Sequence, residues 1–190
     1  MIDFNAELKS PNTDRVIFAL YTLMHEKSKS AYLDILTELS RSSNDKIRLA
    51  TIMVLEKIKN KKLMPVFEKL LDDKSFKIKV IAAISLANYQ IEKAIPVLES
   101  VINIDFKDHS LHKRSIEALG KYKNEKFLGI FEQLITHRRK LSRVKATDAL
   151  LKVGTSKAKA IIKKAEVNEA DEDIKMHMRN AIRKIDENNS

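Results

Sequence analysis

The chain repeats itself, and this limits its fold more than any other feature. Ile47-Arg48-Leu49-Ala50 through Leu55, followed by Pro65-Val66-Phe67-Glu68 and Leu71, realigns about 31 residues later with Ile78-Lys79-Val80-Ile81 through Leu86, Pro96-Val97-Leu98-Glu99 and Ile102. A step of about 33 residues reaches Leu111-His112, Ala118-Leu119-Gly120, Ile130-Phe131-Glu132 and Ile135. Further steps reach Ser142-Arg143, Ala149-Leu150 and Ile161-Ile162, then Ile174-Lys175 and Ala181-Ile182. Upstream, Asp14-Arg15-Val16-Ile17 and Leu33-Asp34-Ile35-Leu36 give a weaker match. A period of a few tens of residues signals one supersecondary unit stacked many times.

Each unit reads as two amphipathic helices. Ile47, Ala50, Val54 and Ile58 recur at helical spacing, and Leu49, Ile52, Met53 and Leu55 widen the apolar stripe past half the circumference. The partner helix has a narrower face, Leu63, Met64, Val66, Phe67, Leu70 and Leu71. A lone pair would leave much of its first helix in water, so the next pair must stack on it, as in a solenoid. Three Gly and three Pro leave too few turn residues for an all-β domain. Asn60-Lys61, Asn88-Tyr89, Asn124 and Gly154-Thr155 mark turns inside units; Asn44-Asp45, Asp72 through Ser75 and Asp105 through Ser110 mark turns between them. Pro65 and Pro96 fall in the first turn of their helices, where a missing N–H costs little.

The reading is an all-α chain, an α-α superhelix or solenoid of about five helix pairs with a C-terminal capping helix. It is taken as a single repeat domain over 1–190, with units near 11–42, 43–73, 74–105, 106–137 and 138–168 and the capping helix at 170–187. Phe4 through Pro11 reads either as the tail of a preceding second helix, in a fragment of a longer array, or as a short cap on the first unit. An acidic turn, an apolar-basic dipeptide such as Ile47-Arg48, small residues such as Ala82-Ala83 and Pro-Val-Leu in the second helix resemble the HEAT-repeat family, in the short form also found in phycobilisome lyases. The resemblance covers roughly residues 10 to 186. It implies a protein-binding scaffold, since enzymes are the minority in that family.

Enzymatic relatives can be checked residue by residue. Deoxyhypusine hydroxylase, a HEAT-like enzyme, holds iron with several His-Glu pairs, whereas only His25 is followed by Glu here; His109, His112, His137 and His177 are not. HEAT-like alkylpurine DNA glycosylases use aromatic residues, Trp among them, and a catalytic Asp. This chain has no Trp, and Tyr21, Tyr32, Tyr89 and Tyr122 fall at core or turn spacing. A bilin lyase role has no residue to rest on. No nucleophile triad or glycine-rich phosphate loop is present, with Gly120, Gly129 and Gly154 scattered. The expectation is a non-enzyme with no catalytic residue, cofactor or metal.

Two basic features remain. Arg15, Arg48, Lys79, His112, Arg143 and Lys175 recur once per unit; the resemblance implies a structural ladder in which such a residue pairs with an acid of a neighbouring turn, Asp45 and Asp73 being candidates, and ligand contact is the other reading. Between Thr136 and Lys164, Arg138, Arg139, Lys140, Arg143, Lys145, Lys152, Lys157, Lys159, Lys163 and Lys164 face one acid, Asp148, in a chain of net charge +10. Arg138, Arg139, Lys140, Arg143, Lys157, Lys159, Lys163 and Lys164 form the candidate binding patch, with Lys157, Lys163 and Lys164 on a second helix lining the groove. The competing explanation is solubility, with Glu166, Glu169, Asp171, Glu172 and Asp173 neutralising the run.

The expected function is a scaffold or adaptor that binds another macromolecule through its concave face and the basic fifth unit. The expected partner is a protein, acidic where it meets the patch; nucleic-acid backbone is the alternative. The absence of Cys and of a leader favours the cytoplasm, and no stretch approaches a membrane span.

Overall fold

Capping side chains fix where the helices begin. The computed structural model describes residues 2–104 and 107–189, so Asp105 and Phe106, within one expected inter-unit turn, lie outside the described residues. Asn12 Oδ1 accepts the backbone N–H groups of Asp14 and Arg15, Asn44 that of Lys46, Asp108 that of Leu111 and Asp171 that of Ile174. Each satisfies donors that an α-helix start leaves without an internal partner.

All regular structure among the described residues is helical, and the fold is that of an α-solenoid. The chain divides into two compact units, Met1–Tyr89 and Gln90–Ser190. The first contains α1 (Phe4–Leu8), α2 (Thr13–Leu23), α3 (Leu33–Leu39), α4 (Asp45–Ile58), α5 (Met64–Leu70) and α6 (Phe76–Ala87). The first helices stack in file, α2 on α4 and α4 on α6; α3 packs on α4, α5 on α6 and α1 on α2. Leu20, Leu23, Leu36, Ile52, Leu55 and Ile78 are wholly shielded from water and fill this core.

The second unit contains α7 (Ile95–Asn103), α8 (His109–Leu119), α9 (Leu128–Ile135), α10 (Lys140–Val153), α11 (Ser156–Asn168) and α12 (Glu172–Asn188). Its first helices stack as α8 on α10 on α12, and α9 lies beside α11. Leu98, Ile116, Phe127 and Phe131 fill the interior, the last two with ring centroids 6.4 Å apart.

Three short turns inside the repeats share one construction. Lys59, Lys123 and Gly154 take left-handed backbone, with φ of 53°, 48° and 70°, and Asn60, Asn124 and Thr155 follow to cap the next turn of helix. Pro65 and Pro96 occupy the first turns of α5 and α7. Buried hydroxyls on the stacked helices find their acceptors locally: Thr51, Ser85 and Ser115 donate to the carbonyls of Ile47, Ile81 and Leu111, one turn back. A small polar residue therefore sits in the interface without needing a partner from the neighbouring helix.

Candidate binding surface

Two arginines of the sequence ladder make the same clamp, one in each unit. Arg48 Nε and Nη2 reach the two carboxylate oxygens of Asp73 at 2.7 and 3.0 Å, while Nη1 donates to the carbonyls of Ser42 and Ser43. Arg143 repeats this with Glu169 at 2.7 and 3.0 Å and with the carbonyls of His137 and Arg138. Each guanidinium ties the turn before its own helix to the turn that opens the next repeat. Burial is the largest single influence and pushes the Asp73 and Glu169 carboxyls up, but the arginine bonds, the backbone N–H groups of Ser75 and Asp171 and the nearby positive charge together outweigh it and hold both below the ordinary carboxylate range.

Elsewhere the ladder departs from that geometry. Arg15 turns back to Glu7 of α1 at 2.9 Å and is largely exposed. Lys79 adds charge near Asp73, and Lys175 is half-buried. His112 is buried, its ring 6.1 Å from that of His137.

Most of the cations proposed as a patch face an acid. Arg139 stands at the N-cap position of α10 and Lys140 begins the helix; Lys140 bonds Asp171, which raises its own pKa and lowers that of Asp171. On α11, Lys157 meets Glu125 at 2.9 Å, Lys164 meets Glu132 at 3.0 Å and Lys159 meets Asp186 of α12. The Glu125 carboxyl is held low by Lys157. Arg138 and Lys163 are exposed.

These acids lie outside the 136–164 run and were not legible from it. Glu125 and Glu132 stand 32 residues before their lysines, about one repeat. Stacking sets residues one repeat apart side by side, so a search for an acid one period from each lysine would have found them. Of the three α11 lysines expected in the groove, Lys164 lines it.

Between α9 and α11 runs a groove of about 440 Å³, lined by Gly129, Glu132, Gln133, Ile135, Thr136, Ile161, Lys164, Ala165 and Asn168. The corresponding cleft between α3 and α5 of the first unit, lined by Ser40, Arg41, Pro65, Val66, Lys69 and Leu70, holds about 80 Å³. Gly129 faces open space in the α9–α11 groove, where a β-carbon would meet nothing within 4 Å. Gly in a helix costs roughly 0.5–1 kcal/mol relative to Ala, and no internal contact of α9 requires it. Sequence reasoning passed over Gly129 as one of three scattered glycines.

The tyrosines and histidines of the enzymatic comparisons have ordinary surroundings. The Tyr122 hydroxyl donates to the Ile91 carbonyl at 2.7 Å, and burial followed by the charge of Glu92 pushes its pKa up to about 12. His177 meets Asp148 at 2.9 Å. Among the described residues no group of three or more His, Asp or Glu is placed to hold a metal, and no helix is long and apolar enough to cross a membrane.

File stacking of helix pairs, with second helices forming a groove, defines an α-helical repeat protein. Residues 33–110 match the family described as HEAT repeats. Comparison with curated proteins finds no match. Among solved structures, an engineered protein is similar at a TM-score of 0.64 and 16% identity, over 98% of each chain. A designed armadillo repeat protein in complex with the peptide (KR)4 is similar at 0.65 and 17%, over 94% of this chain and 96% of that one. The complex of CpcE and CpcF of phycocyanin lyase from Nostoc sp. PCC7120 matches at 0.54 and 14%, over 97% and 95%. At these identities the likeness is one of fold.

Proposed function

We propose that the chain is a non-enzymatic adaptor that takes a protein segment in the groove between α9 and α11. The observation that carries this reading is the open, partly apolar wall formed by Gly129, Ile135, Ile161 and Ala165 beside the Glu132–Lys164 pair. Apolar floors with a few polar groups at the rim are what peptide segments bind, the apolar contacts giving affinity and the rim giving register. The designed armadillo protein of similar fold binds the basic peptide (KR)4. In this chain the exposed Lys163 and Arg138 and the net charge of +10 favour an acidic segment instead.

Nucleic-acid backbone binding through Arg138, Arg139, Lys140, Arg143, Lys157, Lys159, Lys163 and Lys164 is the second reading, and the same net charge favours it. Pairing with Glu125, Glu132, Asp171, Glu169 and Asp186 leaves fewer charges for phosphate, so the groove reading is preferred.

Peptides selected from a random display library against the intact chain test the two readings, together with heparin retention at rising salt. Gly129→Trp fills the groove at an exposed position and should abolish peptide binding while leaving heparin elution unchanged. Selected peptides that bind the Trp variant as well as the parent would overturn the groove. Steep salt-dependent heparin retention that disappears on changing Lys157, Lys163 and Lys164 to Glu would favour the nucleic-acid reading.

A further inference from the structure

On the stacked first helices, the third and sixth positions after the ladder residue are shielded from water. They are Thr51 and Val54 on α4, Ala82 and Ser85 on α6, Ala146 and Ala149 on α10, and Met178 and Ala181 on α12. In α10 this face turns toward the preceding first helix: a β-carbon built on Gly120, at the end of α8, would stand 2.9 Å from Ala149 Cβ. On α2 the same two positions are Phe18 and Tyr21, which are 63% and 47% exposed. The face that elsewhere carries small or aliphatic, buried side chains here carries two aromatic rings in water.

The stripe continues in both directions. Asp14, Phe18, Tyr21 and His25, the last in the turn that follows α2, are all exposed and step by four, three and four residues. That spacing puts Asp14, Phe18 and Tyr21 in line along one face of α2, as in the seam of a helix pair, and the helical backbone of Met24 carries the line on toward His25. Arg15 is held aside by Glu7, and the Thr22 hydroxyl bonds back to the Phe18 carbonyl, so neither competes for the stripe.

The order of these four residues is self-complementary when reversed. Laid antiparallel on a copy of itself about a two-fold axis between Phe18 and Tyr21, the stripe sets each Phe18 against the other copy's Tyr21 and each Asp14 against the other copy's His25. Ring meets ring and carboxylate meets imidazole, each twice. A parallel arrangement would set Asp14 against Asp14. We infer that α2 is a homodimerisation face, occupied by α2 of a second copy in antiparallel register. One helix face on each side makes a small contact, so the association is weak and depends on concentration.

Sedimentation equilibrium of the intact chain across the micromolar range tests this, with circular dichroism to show that each variant is folded. The parent is expected to dimerise reversibly. Phe18→Ser with Tyr21→Ser should leave a monomer, and Asp14→Lys should weaken the dimer roughly tenfold. Adding His25→Glu to Asp14→Lys reverses the charges and should restore association, which a purely structural role for Asp14 would not do. The inference is overturned by a parent that stays monomeric, by a dimer that survives the double Ser change, or by failure of the charge reversal to restore what Asp14→Lys removed. A parent that is monomeric alone but covered at Phe18 and Tyr21 by a different partner counts equally against it.

Discussion

Arg143 and Glu169 form a two-pronged ion pair in the second unit that reproduces the Arg48–Asp73 pair of the first, with the same 2.7 and 3.0 Å distances. In both, the third guanidinium nitrogen holds carbonyls of the preceding turn. The pair is shielded, with side chains 14% and 6% exposed in one case and 12% and 6% in the other. Removing one partner leaves the other charge buried. Arg143→Ala and Arg48→Ala should each lower stability by about 3 kcal/mol in urea unfolding. Arg15→Ala, at an exposed and solvent-screened pair, should cost far less than either.

The same pairs set the acid limit of the fold. Asp73 and Glu169 have folded pKa values below their unfolded ones. Their contribution is therefore fully present above the unfolded value, about pH 4, and is lost as pH falls through the folded values. Thermal melts across the acid range should show Tm dropping below about pH 4, and Asp73→Asn with Glu169→Gln should flatten that drop while lowering Tm at neutral pH.

Close approach of α8 and α10 depends on Gly120. With Ala149 Cβ 2.9 Å and Ala149 Cα 3.1 Å from where its β-carbon would stand, Gly120→Ala must push the helices apart. A loss of about 1–3 kcal/mol is expected on chemical denaturation. Adding Ala149→Gly should recover part of it.

Left-handed turns carry strain at Lys but not at Gly. Lys123, at φ of 48°, should become more stable by up to about 1 kcal/mol as Lys123→Gly, and Gly154→Ala, at φ of 70°, should lose about as much. Differential scanning calorimetry of the two single variants would show opposite shifts in Tm.

Much of the fold was legible because it is local and repeated. The recurrence of Ile47-Arg48 as Ile78-Lys79 and of Pro65-Val66 as Pro96-Val97 reports helix phase and first turns, and these are α4, α6, α5 and α7. The candidate binding surface was less legible. A run of cations with Asp148 alone among them reads as a bare positive patch, yet Lys157 and Lys164 lie against Glu125 and Glu132. Exposure of Tyr21 was equally hidden, since an aromatic at core or turn spacing reads the same whether or not a neighbour covers it.

The sequence by itself determined the helical period, the caps and the unit that is repeated, because these depend on residues within one or two turns of each other. Tertiary stacking decided which lysines meet an acid, that Gly129 lines a groove while Gly120 closes a contact, and that α2 presents two rings to water. The physical reason is that burial, ion pairing and close approach belong to neighbours about one repeat away, and the same local code is compatible with any of these outcomes until the stacking brings those neighbours together.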